Sequence, residues 1–175
     1  MELKDVLKSR RSIRKFREEQ VDEQVLLDAI SYGIMAPSAH NRQPWKVRIT
    51  TMDEKTKIAD ELYNKTKDIV GHTGPHTAEI IRNVPNLLVV FIDNQIKDNR
   101  EHDIISIGAF IENIILYLTD LGLGTLWIAN TDNIKEEIKD ILNTDLECVS
   151  CIGVGIKDQD PHMRPRKDLD EILVK

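Results

Sequence analysis

Cysteine is nearly absent from this chain, and so are most of the residues that announce a class outright. Cys148 and Cys151 are its only cysteines, which rules out a disulfide framework and leaves a C-x-x-C zinc site without its second pair. Glycine and proline are modest, 8 and 6 of 175 residues, so collagen-like and low-complexity classes fall away. No uninterrupted apolar run approaches the roughly 18 residues that cross a bilayer. The N-terminal MELKDVLKSRR lacks the apolar region of a signal peptide, and a reducing cytoplasm is the expected setting. A general excess of positive charge is missing too. Against 24 basic side chains stand 30 acidic ones, a net charge of −6, so no nucleic-acid or membrane partner is expected.

Against that acidic background one stretch stands out. Between positions 10 and 17 lie Arg10, Arg11, Arg14, Lys15 and Arg17, with no acid among them. If RRSIRKF is extended, the period of two puts Arg10, Ser12 and Arg14 on one face and Arg11, Ile13 and Lys15 on the other. Two guanidinium forks flanking a hydroxyl suit a phosphate monoester, which carries about −1.5 to −2 charges near neutral pH. A solvated basic turn that balances the acids of the chain is an equal alternative on composition alone. A smaller basic knot, HMRPRK, with Arg164 and Arg166, lies near the other end.

Periodicity divides the rest into one domain, 1–175, of mixed strands and helices, α/β or α+β, too irregular in order for a doubly wound sheet. The first helix ends near Ser9. A second runs from Asp22 to a stop at Pro37, before a loop, APSAHNRQPW. Trp45 to Thr50 alternates like a strand, Glu54 to Val70 reads as a polar helix, and GHTGPHT, 71–77, breaks it. NLLVVFI, Asn86 to Ile92, is apolar throughout and belongs in the middle of a sheet, buried on both faces. Asp103 to Gly124 reads as a long helix apolar on most of its circumference and closed by glycines. A domain this size has little room to bury it alone, so dimerisation through it is expected. Thr125 to Ala129 is a strand, Asp132 to Leu142 a helix, and Cys148 to Ile156 another strand. A spacing of three would send the two thiols of that strand to opposite faces as core residues.

Residues able to run chemistry by themselves are scarce. His72 and His76 are separated by Gly74 and Pro75, so a helical metal pair is excluded. There is no G-x-S-x-G, and Ser38 beside His40 has no orienting acid. GLG at 122–124 and GVG at 153–155 lack the third glycine of a dinucleotide fingerprint. With no acid–base pair evident, a bound cofactor is the remaining source of chemistry.

Three motifs in order, SRRSIRKF, APSAHNRQPW and GLGTLWI, followed by RPRKDLDEIL, resemble the FMN-dependent nitroreductase family over essentially the whole chain. The resemblance implies an α+β fold with a central, mostly antiparallel sheet flanked by helices, and a homodimer holding FMN at its interface, with the long helix buried there. It implies that Arg10, Ser12 and Arg14 hold the FMN phosphate and ribityl chain, with Arg11 contributing and Arg164 and Arg166 closing on the same phosphate. Pro37, Ser38, Ala39 and Asn41, with Gln43 beside them, match the loop that meets the isoalloxazine from the other subunit, while Leu126 and Trp127 lie along the flavin.

The activity implied is ping-pong transfer from NADH or NADPH to a nitroaromatic, quinone or similar small-molecule acceptor, without a catalytic residue of the protein's own. The chain is shorter than the larger members, with little length between Asn94 and Asp103 for the segment that covers their pocket; GHTGPHT is expected at the pocket rim. Dehalogenation or flavin breakdown in the same fold, and flavin binding without turnover, are the alternatives.

Overall fold

The computed structural model describes residues 1–93 and 100–174. The short connection expected after Asn94 falls largely outside the described residues. Helix α1 (Leu3–Ser9) is followed by the extended basic stretch and by α2 (Glu23–Gly33), whose N-cap Asp22 accepts from the Gln24 N–H. A 3-10 turn (Ala39–Asn41) leads into strand β1 (Trp45–Ile49). Then come α3 (Met52–Thr66), α4 (Gly74–Asn83), β2 (Asn86–Ile92), α5 (Arg100–Asp120) and β3 (Gly124–Ile128). After β3 the chain runs through a 3-10 turn (Asn130–Ile134), α6 (Lys135–Leu142), β4 (Glu147–Gly155) and the short α7 (Leu169–Ile172).

The four strands are ordered β1-β2-β4-β3 and every pairing is antiparallel. All seven residues of β2 are buried. Its odd-numbered side chains, Leu87, Val89 and Phe91, pack with Ile58 and Leu62 of α3, Ile81 of α4 and Ile138 of α6. Its even-numbered ones, Leu88, Val90 and Ile92, pack with Leu26 of α2 and Phe110, Ile111 and Ile114 of α5. The sheet is thus sandwiched between two helical layers, and β2 is central as the apolar run requires.

Helix α5 departs from expectation in how it is buried. Ile107, Phe110, Ile111, Ile114 and Leu118 are covered by the sheet and α2 within this one chain, while Ile105 is 72% exposed. One copy thus covers one face of the helix and leaves the rest of its apolar circumference partly open. By length and a mean hydropathy of 1.2 over 18 residues it would also qualify as a membrane span, a property the search for uninterrupted apolar runs missed; here it is a core helix. It stops at Asp120, earlier than Gly124, in a Schellman turn. Gly122 takes φ +80, its N–H donates to the Thr119 carbonyl at 2.9 Å, and the Leu123 N–H donates to Leu118 at 3.0 Å.

Three elements correct the sequence reading outright. GHTGPHT ends nothing; α3 has already stopped at Thr66, and α4 begins inside the motif with Pro75 in its first turn, where a missing N–H costs no helical bond. Gly74 is required there, since a Cβ would lie 2.1 Å from Thr66 Oγ1. The segment from Asp132 likewise divides, with a 3-10 turn before α6. In β4, the register against β2 passes from Val90–Ser150 to Phe91–Cys148. This bulge at Val149 resets the alternation, so Cys148 and Cys151 share one face and one core instead of facing apart. Neither thiol is in a disulfide, and a hydrogen bond with Cys148, together with burial, pushes the Cys151 thiol well up.

Candidate functional site

The basic stretch is laid along the sheet edge by its two apolar residues, Ile13 and Phe16, the second packed against the core beside Gly155. Ile13 is 3% exposed and rests on Gly124, where an added Cβ would sit 3.0 Å from the Ile13 side chain. Ser12 forms a parallel bridge with Thr125, and the Ile13 N–H donates to the Thr125 carbonyl at 2.9 Å. Further on, the Arg17 N–H donates to Ile156 and the Asp158 N–H to Lys15. These bonds tie the stretch to β3 and to the segment leaving β4.

With Ile13 turned inward, its neighbours open into a recess of about 200 Å³. Arg10, Arg11, Ser12 and Arg14 line one side, and Arg164 and Arg166 with Pro161, His162 and Met163 line the other. Five guanidinium groups and a hydroxyl surround it, and no carboxylate does; that donor set matches a phosphate monoester dianion. Arg11 sits here too, although strict alternation placed it on the opposite face. Its guanidinium donates to the carbonyls of Lys8 (2.6 Å), Arg10 (2.8 Å) and Pro161 (3.2 Å), so it joins the end of α1 to the C-terminal segment. Arg10 points toward Glu112 of α5 at 4.0 Å. Arg14 makes only a long bond to the Ser12 carbonyl, 3.3 Å.

Arg14 also lines a second recess of about 310 Å³, so the two adjoin. Leu126 and Trp127 of β3 form its floor, with Trp127 42% exposed, and Thr73, His76 and Thr77 from the first turn of α4 form its wall. Asn130 closes the end, its amide donating to Thr73 Oγ1 at 2.8 Å and Thr77 Oγ1 at 2.9 Å. GHTGPHT is therefore at the rim, as expected, but as the start of a helix. The contributions of Asn130 and of Pro161–Met163 carried no signal in the sequence.

The third group of expected residues lies apart from both recesses within the chain. Pro37, Ser38, Ala39 and His40 open, with His102, Ile105, Ser106 and Ala109 of α5, into a shallow recess of about 480 Å³ that shares no residue with the others. Asn41 and Gln43 close the turn behind it. The Asn41 N–H donates to the Ser38 carbonyl at 2.9 Å and the Gln43 N–H to Ser38 Oγ at 3.0 Å. His40, Asn41 and Gln43 all take left-handed φ, 52, 54 and 50, uncommon for residues with a side chain. Among the described residues no cluster of three or more His, Cys, Asp or Glu could hold a metal.

A family model for the nitroreductase family matches residues 7–156. The chain belongs to the nitroreductase family. Among relatives, Bacillus subtilis YfhC, provisionally named an NAD(P)H nitroreductase, is 26% identical over 94% of this chain and 89% of its own. The iodotyrosine deiodinase of Thermotoga neapolitana is 27% identical over 99% of this chain and 96% of its own. A Desulfovibrio desulfuricans protein, provisionally named a nitroreductase and solved in complex with FMN, superposes with a TM-score of 0.85 at 24% identity, covering all of this chain and 96% of that one. The α+β nitroreductase fold expected from the motifs is the observed fold.

Proposed function

We propose that this nitroreductase-family chain is an FMN-dependent oxidoreductase, working as a homodimer, that takes hydride from NADH or NADPH and reduces a nitroaromatic, quinone or similar flat acceptor by a ping-pong scheme. The observation that carries the reading is the carboxylate-free recess of Arg10, Arg11, Ser12, Arg14, Arg164 and Arg166 continuing, through Arg14, into the recess of Leu126 and Trp127. FMN supplies the hydride acceptance and donation that no side chain of this site can.

The chain's own work is binding and orientation. Arg10, Arg14, Arg164 and Arg166 hold the phosphate, with the Ser12 hydroxyl as a further donor, and Arg11 braces the tail that carries the last two. Leu126 and Trp127 give the flat ring an apolar surface, and Thr73, Thr77 and Asn130 face its polar edge. Arg14, common to both recesses, would sit where the phosphate end of the cofactor passes toward the ring. The Pro37–Gln43 loop opens onto different space in the same chain, which fits a contact with the flavin of a second copy. Ile105, exposed beside that loop, supplies apolar surface for the meeting.

The purified protein is expected to be yellow, or to become so with FMN, to bleach on addition of NADH or NADPH, and to recolour with a nitroaromatic. Protein that stays colourless after incubation with FMN would exclude the reading. A second reading, reductive dehalogenation, is favoured by the deiodinase relative, which matches over 99% of the chain. Bound, reducible FMN with turnover of a halophenol and none of a nitroaromatic would select it.

A further inference from the structure

We infer that Arg42 and Asp103 form a positioning pair that holds the 37–43 loop in its left-handed conformation and so sets how that loop meets the flavin of the neighbouring subunit. The inference rests on the homodimeric flavoenzyme reading above. Arg42 donates through Nε and Nη2 to the same carboxylate oxygen, Asp103 Oδ1, at 3.0 and 2.7 Å. Asp103 is 1% exposed, and the Arg42 side chain 11%. Buried, charge-assisted bonds of this kind are strong and geometrically exacting.

What they reinforce is a strained backbone whose internal ties are local, the Asn41 N–H to the Ser38 carbonyl at 2.9 Å and the Arg42 N–H to the Ala39 carbonyl at 3.1 Å. His40, Asn41 and Gln43 bracket Arg42 with positive φ on both sides, a conformation that persists only where its surroundings impose it. The other ties are neutral. Within the loop, Ser38 accepts from the Gln43 N–H; across to α5, the Ala39 N–H reaches Ser106 Oγ at 3.3 Å, a long bond, while Ser106 itself donates to the His102 carbonyl at 2.7 Å. The guanidinium–carboxylate contact is the one charged link from loop to helix among the described residues. Neither partner lines the recess that Pro37, Ser38 and Ala39 form with α5. Asp103 therefore reaches that recess only through other residues, the loop that Arg42 belongs to and its own neighbours on α5.

The test uses the full-length dimer. In Asp103→Asn the shape is kept and the charge removed. FMN affinity should fall about tenfold, the size expected when one strained residue's conformation must be re-imposed on binding. The visible circular dichroism of the bound flavin, recorded at saturating FMN, should change as well, a signal that a tie serving stability alone would leave as it is. Arg42→Gln, measured the same way, decides the matter if Asp103→Asn does not fold. Wild-type protein that binds FMN, with both folded variants matching it in affinity and dichroism, overturns the pairing while leaving the flavoenzyme reading intact. Wild-type protein that does not bind FMN overturns that reading, and this inference with it.

Discussion

Replacing Arg14 by alanine separates a binding role from a structural one more cleanly than any other change in the basic stretch. Arg14 is exposed and, among the described residues, has no ion-pair partner and makes a single 3.3 Å bond, to the Ser12 carbonyl. Surface substitutions of that kind shift stability by no more than about 0.5 kcal/mol. Its contribution to a bound phosphate is of another size, since a hydrogen bond to a charged group is worth about 1.5–3 kcal/mol. That corresponds to a loss of roughly ten- to a hundredfold in FMN affinity. Quenching of FMN fluorescence on titration with apoprotein gives the dissociation constant, and thermal unfolding of the apoprotein gives the stability. The contrast should be sharpest at low salt, because a phosphate contact of this type is screened. An Arg14→Ala protein whose FMN affinity falls less than threefold, or whose apoprotein loses several degrees of melting temperature, would refute the reasoning.

Three further outcomes follow from the packing. Gly33→Ala, where a Cβ would lie 2.7 Å from Phe110 and 2.8 Å from Ile114, should cost about 1–3 kcal/mol in urea unfolding by forcing α2 and α5 apart. Neither Cys148 nor Cys151 should react with an aromatic disulfide reagent in the native protein, and both should react in guanidinium, since both are buried and a hydrogen bond with Cys148, together with burial, raises the Cys151 thiol. Lys55 is buried with its ammonium on the Val84 carbonyl, and desolvation lowers its pKa. Between that lowered value and the unfolded value of about 10.4 the unfolded chain binds the extra proton, so stability from this group rises with pH through that window. In Lys55→Met that rise should disappear from a plot of urea midpoint against pH.

How much of this could be read from the residues depended on how local the cause was. The continuous apolar run of β2 and the glycine that closes α5 were legible because each states its environment within a few positions. GHTGPHT misled because proline and glycine together look like a breaker. Only the contact of Gly74 with Thr66 shows that the glycine serves the close approach of two helices. The bulge at Val149 left no mark on the sequence, and it reversed the expected placement of the thiols. In the site, the alternation of RRSIRKF grouped Arg10, Ser12 and Arg14 as they are found, and missed Arg11, which lines the same recess. The Arg42–Asp103 pair spans 61 positions, and nothing in either segment alone pairs them. One face of α5 is buried by the sheet and α2 of this chain, while Ile105 stays exposed, so the apolar circumference read from the sequence is only partly accounted for by one copy.

The strand that carries Leu126 and Trp127 is the last in the sheet order, so one row of its backbone groups has no sheet neighbour. What occupies that position is the basic stretch itself, through the Ser12–Thr125 bridge and the seat of Ile13 on Gly124. An uncovered outer strand is an invitation to pair with a stranger's strand, and proteins commonly blunt it with charge or a covering segment. Here charge and cover are the same residues. The segment proposed to hold the anion therefore also shields this border, so a change that detaches it, such as loss of the Ile13 seat on Gly124, should lower solubility and cofactor loading together.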